Sequence, residues 1–115
     1  MIDPEIKKIY LVSDGTGETV EKVMKAALKQ FSTTPVSVEK FPRITNIESM
    51  QMVIQKASVN DALLLSTLVS PDLRLQTKDI ASNYRIRHID LLDNLLEQLS
   101  IFLRVKPDGV PNIMH

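Results

Sequence analysis

Four times along this chain, a short segment with the hydrophobic pattern of a strand is followed by a segment with the pattern of a helix. The strand-like segments comprise residues 9–12, 35–41, 62–65 and 85–90. Strands that alternate with helices form parallel sheets, because each helix carries the chain back to the edge where the next strand starts. The pattern therefore predicts an open, mainly parallel, four-stranded α/β sheet with helices on both faces, the three-layer Rossmann or flavodoxin-like architecture.

The character of two segments indicates their places in that sheet. Residues 62–65 are continuously apolar, as expected for a central strand that is covered on both faces. Residues 35–41 alternate between apolar and polar and begin with a proline, which favours a position near the sheet edge. We expect the strand order 2-1-3-4, in which the order reverses between the first and third strands. Ligands of open α/β sheets bind outside the carboxyl ends of the strands at such a reversal.

Capping residues indicate where the helices begin. The run Thr45-Asn46-Ile47-Glu48 has the spacing of a capping box for the second helix. Ser70 before Pro71 predicts a third helix that runs to about Tyr84, and Asp90 is expected to cap the last helix. Two apolar stripes at helical spacing are expected to be core: Val20, Val23, Met24, Ala27, Leu28 and Phe31 in the first helix, and Leu91, Leu92, Leu95, Leu96, Leu99, Phe102 and Leu103 in the last.

Composition restricts the class of protein. With 115 residues, 43% of them apolar, the chain is long enough for one core, so we expect a single domain over residues 1–105 and a linker over residues 106–115. Fourteen basic and fourteen acidic residues balance, which argues against nucleic acid and against an anionic membrane as partners. The lack of cysteine, of a signal-peptide pattern and of a long apolar run favours a cytoplasmic protein.

The loop after the first strand has the composition of a phosphate-binding loop. It reads Ser13-Asp14-Gly15-Thr16-Gly17-Glu18-Thr19 and leads directly into a helical pattern. Small residues at a strand-to-helix turn direct several main-chain N–H groups and the positive end of the helix dipole at one point, where anions bind. Capping alone would also favour these residue types. The expected phosphate or nucleotide ligands are Ser13, Gly15, Thr16, Gly17 and Thr19.

Two further segments should meet this loop at the carboxyl edge of the sheet. The third strand is followed by Ser66-Thr67, from which Thr67 is a candidate ligand, and the second strand is followed by Arg43, which could supply a fixed positive charge. Asp14 is the candidate catalytic residue: it could orient an accepting hydroxyl or hold magnesium, or it could simply bond nearby N–H groups. His88 has no second ligand at metal spacing, so no metal site is expected there.

These residues together resemble a known family. The runs Ile9 to Thr19, Phe41-Pro42-Arg43-Ile44-Thr45, Thr67-Leu68-Val69 with Pro71-Asp72-Leu73-Arg74, and Asp90-Leu91-Leu92 are similar to the amino-terminal half of the regulatory proteins of pyruvate, phosphate dikinase and phosphoenolpyruvate synthetase. The resemblance implies a bifunctional regulator. Such a protein phosphorylates a threonine of its target enzyme with ADP, and removes that phosphate with inorganic phosphate.

The resemblance also implies parts that this sequence does not contain. Family members carry a nucleotide-binding P-loop in their carboxyl half, whereas none of the nine lysines here is followed by Ser or Thr. We therefore expect residues 106–115 to lead to a P-loop domain, so that this chain alone would not be a competent enzyme. The implied substrates are ADP and inorganic phosphate, and magnesium is a candidate cofactor. The implied partners are the dikinase or the synthetase, the protein's own carboxyl-terminal domain and, at full length, further copies of itself.

Two other functions remain open from the residues. The loop also approaches the phosphate loop of flavodoxins, which would make the chain an electron-transfer module that binds flavin mononucleotide. Against this, Asp14 would repel the phosphate and the later loops lack a Trp or Tyr to sandwich the flavin. The third possibility is a non-enzymatic protein-interaction domain in which the glycine turn is incidental.

Overall fold

A computed structural model describes residues 6–110 as one sheet with helices on both faces. The elements are β1 (Lys7–Ser13), α1 (Glu18–Leu28), a 3-10 turn (Lys29–Phe31), β2 (Val36–Phe41), α2 (Ile47–Asn60), β3 (Leu63–Thr67), α3 (Pro71–Asn83), β4 (His88–Asp90) and α4 (Asp93–Leu103). All neighbouring strands pair in parallel, in the order β2-β1-β3-β4. The predicted fold class and strand order are confirmed. Residues 1–5 of the predicted domain and residues 111–115 of the predicted linker lie outside the described part.

The two central strands separate two apolar layers. Alternate side chains of a strand point to opposite faces, so Tyr10 and Val12 pack against α2 and α3, while Ile9 and Leu11 pack against α1. The neighbouring central strand β3 contributes Leu64 to the layer against α2 and α3, and Leu65 to the layer against α1. Burial on both faces explains why β1 and β3 read as continuous apolar runs. It also fixes their carboxyl ends, where the candidate site lies.

The helix starts agree only in part with the prediction. Ser70 caps α3 by accepting from the Leu73 N–H, as expected, with Pro71 in the first turn. The expected capping box at Thr45 is wrong, because Asn46 is the N-cap of α2 and accepts from the Ser49 N–H at 2.8 Å. Asp90 was also expected to cap α4. It does not, because α4 begins later with Leu92 as its N-cap, and the Asp90 carboxylate instead pairs with the Arg74 Nε at 3.1 Å.

The fourth strand is shorter than the sequence indicates, because its expected beginning belongs to the end of α3. Arg85 adopts a left-handed conformation with a φ of 57°, and its N–H donates to the Ser82 carbonyl. The next N–H, that of Ile86, donates to the Ala81 carbonyl. This pair of bonds is a Schellman motif, which satisfies the last carbonyls of the helix. Strand pairing therefore begins only at His88.

The expected core stripes of the first and last helices are only partly buried. In α1, Val20 and Met24 are buried, but the helix ends at Leu28 and Phe31 is exposed. In α4 the prediction of a buried stripe is wrong: none of the helix residues is buried, and Leu95 and Phe102 are 55% and 82% exposed. Helical spacing reports that a helix is apolar along one side, and it does not report whether the same domain covers that side.

Among residues 6–110, no helix is both long enough and apolar enough to cross a membrane.

Candidate functional site

The loop between β1 and α1 presents unpaired main-chain donors. Gly17 is the N-cap of α1, has a φ of 85° and provides no side-chain cap. Within the described residues, the N–H groups of Thr16, Gly17 and Thr19 donate to no protein acceptor. Unpaired N–H groups at a helix amino terminus carry the positive end of the helix dipole. This end of the loop is therefore electrostatically suited to an anion.

A cavity of about 300 Å³ lies directly over this loop. It brings together seven of the eight residues that the sequence proposes for the site, from two different strand ends. Its full lining is Ser13, Asp14, Gly15, Thr16, Gly17, Glu18, Thr19, Thr67, Val69 and Leu92. The cavity is located at the reversal of strand order between β1 and β3, where open α/β sheets bind ligands.

Two loop hydroxyls hold the turn in shape. Ser13 Oγ accepts from the Gly15 N–H at 3.0 Å, and Thr16 Oγ1 accepts from the Glu18 N–H at 3.3 Å. Each hydroxyl keeps its own proton available, since both bonds use it as an acceptor. These two hydroxyls therefore stabilise the main chain of the turn, and each can still donate a hydrogen bond to a ligand in the cavity.

Asp14 connects the glycine loop to the loop that follows β3. Its Oδ2 accepts from the Val69 N–H at 2.8 Å, and the residue is buried. This long-range bond differs from the local Asx turn that the sequence suggests, because donor and acceptor lie on separate loops. None of the described residues that line the cavity with Asp14 is a lysine or an arginine.

Arg43 reaches the site through its main chain. Its N–H donates to the Gly15 carbonyl at 2.8 Å, and the next N–H, of Ile44, donates to the Ser13 carbonyl at 2.9 Å. Arg43 itself has a left-handed φ of 56° and is exposed. Its side chain is not part of the cavity lining. The structure therefore brings the backbone of Arg43 to the loop, and it does not bring the guanidinium into the cavity.

Thr67 offers a free hydroxyl to the cavity. The residue is only 6% exposed and lies at the end of β3. Within the described residues its side chain forms no hydrogen bond, and its oxygen is accessible to solvent. The hydroxyl thus faces the cavity, which Thr67 lines.

Sequence reasoning did not select Lys40, which lies beside the loop on β2. A Cβ added to Gly17 would be 2.9 Å from Lys40 Cδ, so the lysine stem lies directly against this glycine. The lysine Nζ is 3.6 Å from Glu21 Oε2 on α1. The alternating pattern of residues 35–41 placed Lys40 on one side of the strand, but only the pairing of β2 with β1 brings it to the loop.

The titratable group with a clear shift near the sheet edge is His88. Burial lowers the pKa of this imidazole, and the nearby Asp90 carboxylate opposes that effect. Its Nε2 shares a hydrogen bond of 2.8 Å with Ser66 Oγ, so the ring is engaged in joining β4 to β3. Within residues 6–110, no group of three acidic, His or Cys side chains could hold a metal ion.

Comparison with known proteins decides the family. The sequence profile of the family described as Kinase/pyrophosphorylase matches residues 9–115. The chain belongs to this kinase/pyrophosphorylase family. The expected membership, drawn above from the loop and its companion segments, is confirmed.

Curated relatives within the kinase/pyrophosphorylase family are named pyruvate, phosphate dikinase regulatory proteins. The relative from Trichlorobacter lovleyi is 36% identical over 110 residues, which cover 96% of this chain and 41% of the relative. That from Halalkalibacterium halodurans is 35% identical over 93% of this chain and 40% of the relative. That from Geobacter sulfurreducens is 36% identical over 96% of this chain and 41% of the relative. The chain thus spans about two fifths of the length of these relatives, and the match gives no support to a flavodoxin-like module.

Proposed function

We propose that this chain is the phosphoryl-recognition part of a bifunctional regulator of pyruvate, phosphate dikinase or phosphoenolpyruvate synthetase. The supporting observation is a cavity of free N–H groups and hydroxyls at the strand reversal of a kinase/pyrophosphorylase family chain. The names of the relatives support the dikinase as the target. In this proposal the target, the chain's own carboxyl-terminal domain and further copies of the protein are partners, and the protein acts in the cytoplasm.

The two reactions of this proposal balance as phosphoryl transfers. In the kinase direction the terminal phosphoryl group of ADP passes to a threonine hydroxyl, which loses its proton, and AMP leaves. In the dephosphorylation reaction, inorganic phosphate attacks the phosphothreonine, the threonine oxygen regains a proton, and pyrophosphate leaves. Both steps need a site that positions a phosphoryl group and stabilises its oxygens.

The loop residues would share this work. The N–H groups of Gly17 and Thr19 and the hydroxyl of Thr67 would donate to phosphoryl oxygens, while Ser13 and Thr16 maintain the turn and Gly15 allows it to approach closely. Asp14 would keep one carboxylate oxygen on Val69 and use the other to orient the attacking hydroxyl or to hold magnesium. The nucleotide's remaining phosphate would lie in a P-loop on the rest of the protein.

Phosphate titration followed by NMR tests the proposal. Adding inorganic phosphate, and then ADP with magnesium, should shift the amides of Gly15, Thr16, Gly17 and Thr19 while distant amides stay in place. Thr67→Val removes the free hydroxyl at nearly constant volume and should weaken binding, whereas Thr34→Val, at an exposed position outside the cavity, should not. The absence of any shift at millimolar phosphate and ADP would refute a phosphoryl site on this chain.

A further inference from the structure

The cavity over the glycine loop has donors but no positive side chain of its own. Its lining contains the two acidic residues Asp14 and Glu18 and neither a lysine nor an arginine. A phosphoryl group carries up to two negative charges near neutral pH, and such groups are recognised by main-chain N–H groups together with a cation. A positively charged side chain beside the cavity would complete such a site.

Lys40 is a positively charged residue directly beside the loop. Its stem lies against Gly17, which lines the cavity, at a separation of 2.9 Å between Lys40 Cδ and the position that a Cβ would occupy. The ammonium is two bonds beyond Cδ, so rotations about the last two bonds of the side chain change its distance from the loop. The glycine makes this approach possible, since any side chain at this position would displace the lysine.

The present partner of the ammonium holds it weakly. Lys40 Nζ and Glu21 Oε2 are 3.6 Å apart, which is longer than a hydrogen bond, and the two side chains are 35% and 37% exposed. Half-exposed ion pairs of this kind contribute little to stability. Glu21 also has a second cation within reach, since Lys25 Nζ is 3.8 Å from its Oε1. Glu21 would therefore keep a partner if Lys40 moved away.

An independent feature indicates that the cavity is built for a ligand. Thr67 is only 6% exposed and lines the cavity, and within the described chain its hydroxyl has no hydrogen-bond partner. The hydroxyl is open to the cavity, where a ligand oxygen would give it a partner.

We propose that Lys40 is the mobile cationic ligand of the site, resting on Glu21 and moving onto a phosphoryl group held by the loop. This inference rests on the proposed function, because it assumes that the loop binds a phosphoryl group. In this arrangement Glu21 sets the availability of the cation, so the Glu21–Lys40 pair tunes the affinity of the site.

Three variants of the 115-residue chain test the role of Lys40, with inorganic phosphate as the probe and amide shifts as the readout. Lys40→Gln keeps the Cγ and Cδ that pack on Gly17 and removes the charge, and should weaken phosphate binding by about tenfold. Lys25→Gln removes the other partner of Glu21 and should leave affinity within about twofold. Glu21→Gln frees Lys40 and should strengthen binding by about twofold or more.

The outcomes separate this inference from the function on which it rests. If the wild-type chain binds phosphate at the loop and Lys40→Gln binds equally well, the role of Lys40 is refuted and the site stands. If the wild type binds no phosphate, both are refuted. Equal losses in Lys40→Gln and Lys25→Gln would show a general charge effect and would also contradict the inference. Unchanged dispersion of the remaining amide signals shows that each variant is folded.

Discussion

At the scale of single residues, the two loop glycines have different roles. Gly17 has a φ of 85°, a conformation that residues with a Cβ rarely adopt, and Lys40 occupies the space beside it. Gly15 does not have a positive φ, and a Cβ there would meet Ser13 Oγ at an ordinary 3.7 Å. The sequence alone gave no basis for separating them, because both glycines are part of one loop motif.

This difference predicts unequal effects of alanine. Gly17→Ala should lower the free energy of unfolding by about 1–2 kcal/mol, because it forces a Cβ into the left-handed region and against Lys40. Gly15→Ala should change it by less than about 0.5 kcal/mol, since the space is open and the N–H bond to Ser13 Oγ is kept. Urea unfolding followed by circular dichroism measures both variants. Equal losses would mean that the loop conformation is not the constraint.

The residue types in the sequence predicted most of the residues of the candidate site, and the three-dimensional structure changed which other residues reach the loop. Ser13, Asp14 and Thr67 lie together because the ends of β1 and β3 are neighbours, which the strand order already required. Arg43 was expected to bring its charge to the loop, but it contacts the loop through its backbone, whereas Lys40, which the sequence did not select, contacts the loop through its side chain. Which side chain of a strand end reaches a loop depends on pairing register and on local φ, and neither can be read from residue types.

At the scale of the elements, the starts of α2 and α3 were located to within one residue, whereas the start of α4 was placed two residues too early. The capping residue was not always identified. Thr45 and Glu48 match the capping-box spacing, but the extended conformation and the bond to Ser49 belong to Asn46. Asparagine is as good an N-cap as serine or threonine, so adjacent Thr and Asn leave the register ambiguous. The ambiguity at the start of α2 therefore reflects a competition between two acceptable caps.

Alanine substitution distinguishes these two caps. Asn46→Ala should cost about 1 kcal/mol of unfolding free energy, because the Ser49 N–H loses its acceptor. Thr45→Ala should cost less than about 0.5 kcal/mol, because this side chain is exposed. Thermal and urea unfolding of the two variants, measured side by side, provide the comparison. A larger loss for Thr45→Ala would restore the capping box.

At the scale of the whole molecule, the sheet was predictable and its outermost helix was not. Continuous apolar runs distinguish central strands from edge strands, which determines the order of four parallel strands nearly completely. The apolar side of α4 follows the same spacing as a core helix, yet Leu95 and Phe102 are exposed. Periodicity describes one element at a time, whereas burial depends on what lies next to that element.

The extent of the domain stays a prediction, and a shortened chain tests it. Removing residues 106–115 should leave the unfolding free energy within about 0.5 kcal/mol, because Lys106, Pro107 and Asp108 are exposed and α4 ends before them. Within residues 106–110, Gly109 approaches the start of α3 closely, since a Cβ at this position would meet Pro71 Cδ at 3.1 Å. Urea unfolding of the chain ending at Val105, against the intact chain, measures the difference. A loss well above 1 kcal/mol would show that the segment around Gly109 packs as part of the domain, and the boundary would then move beyond it.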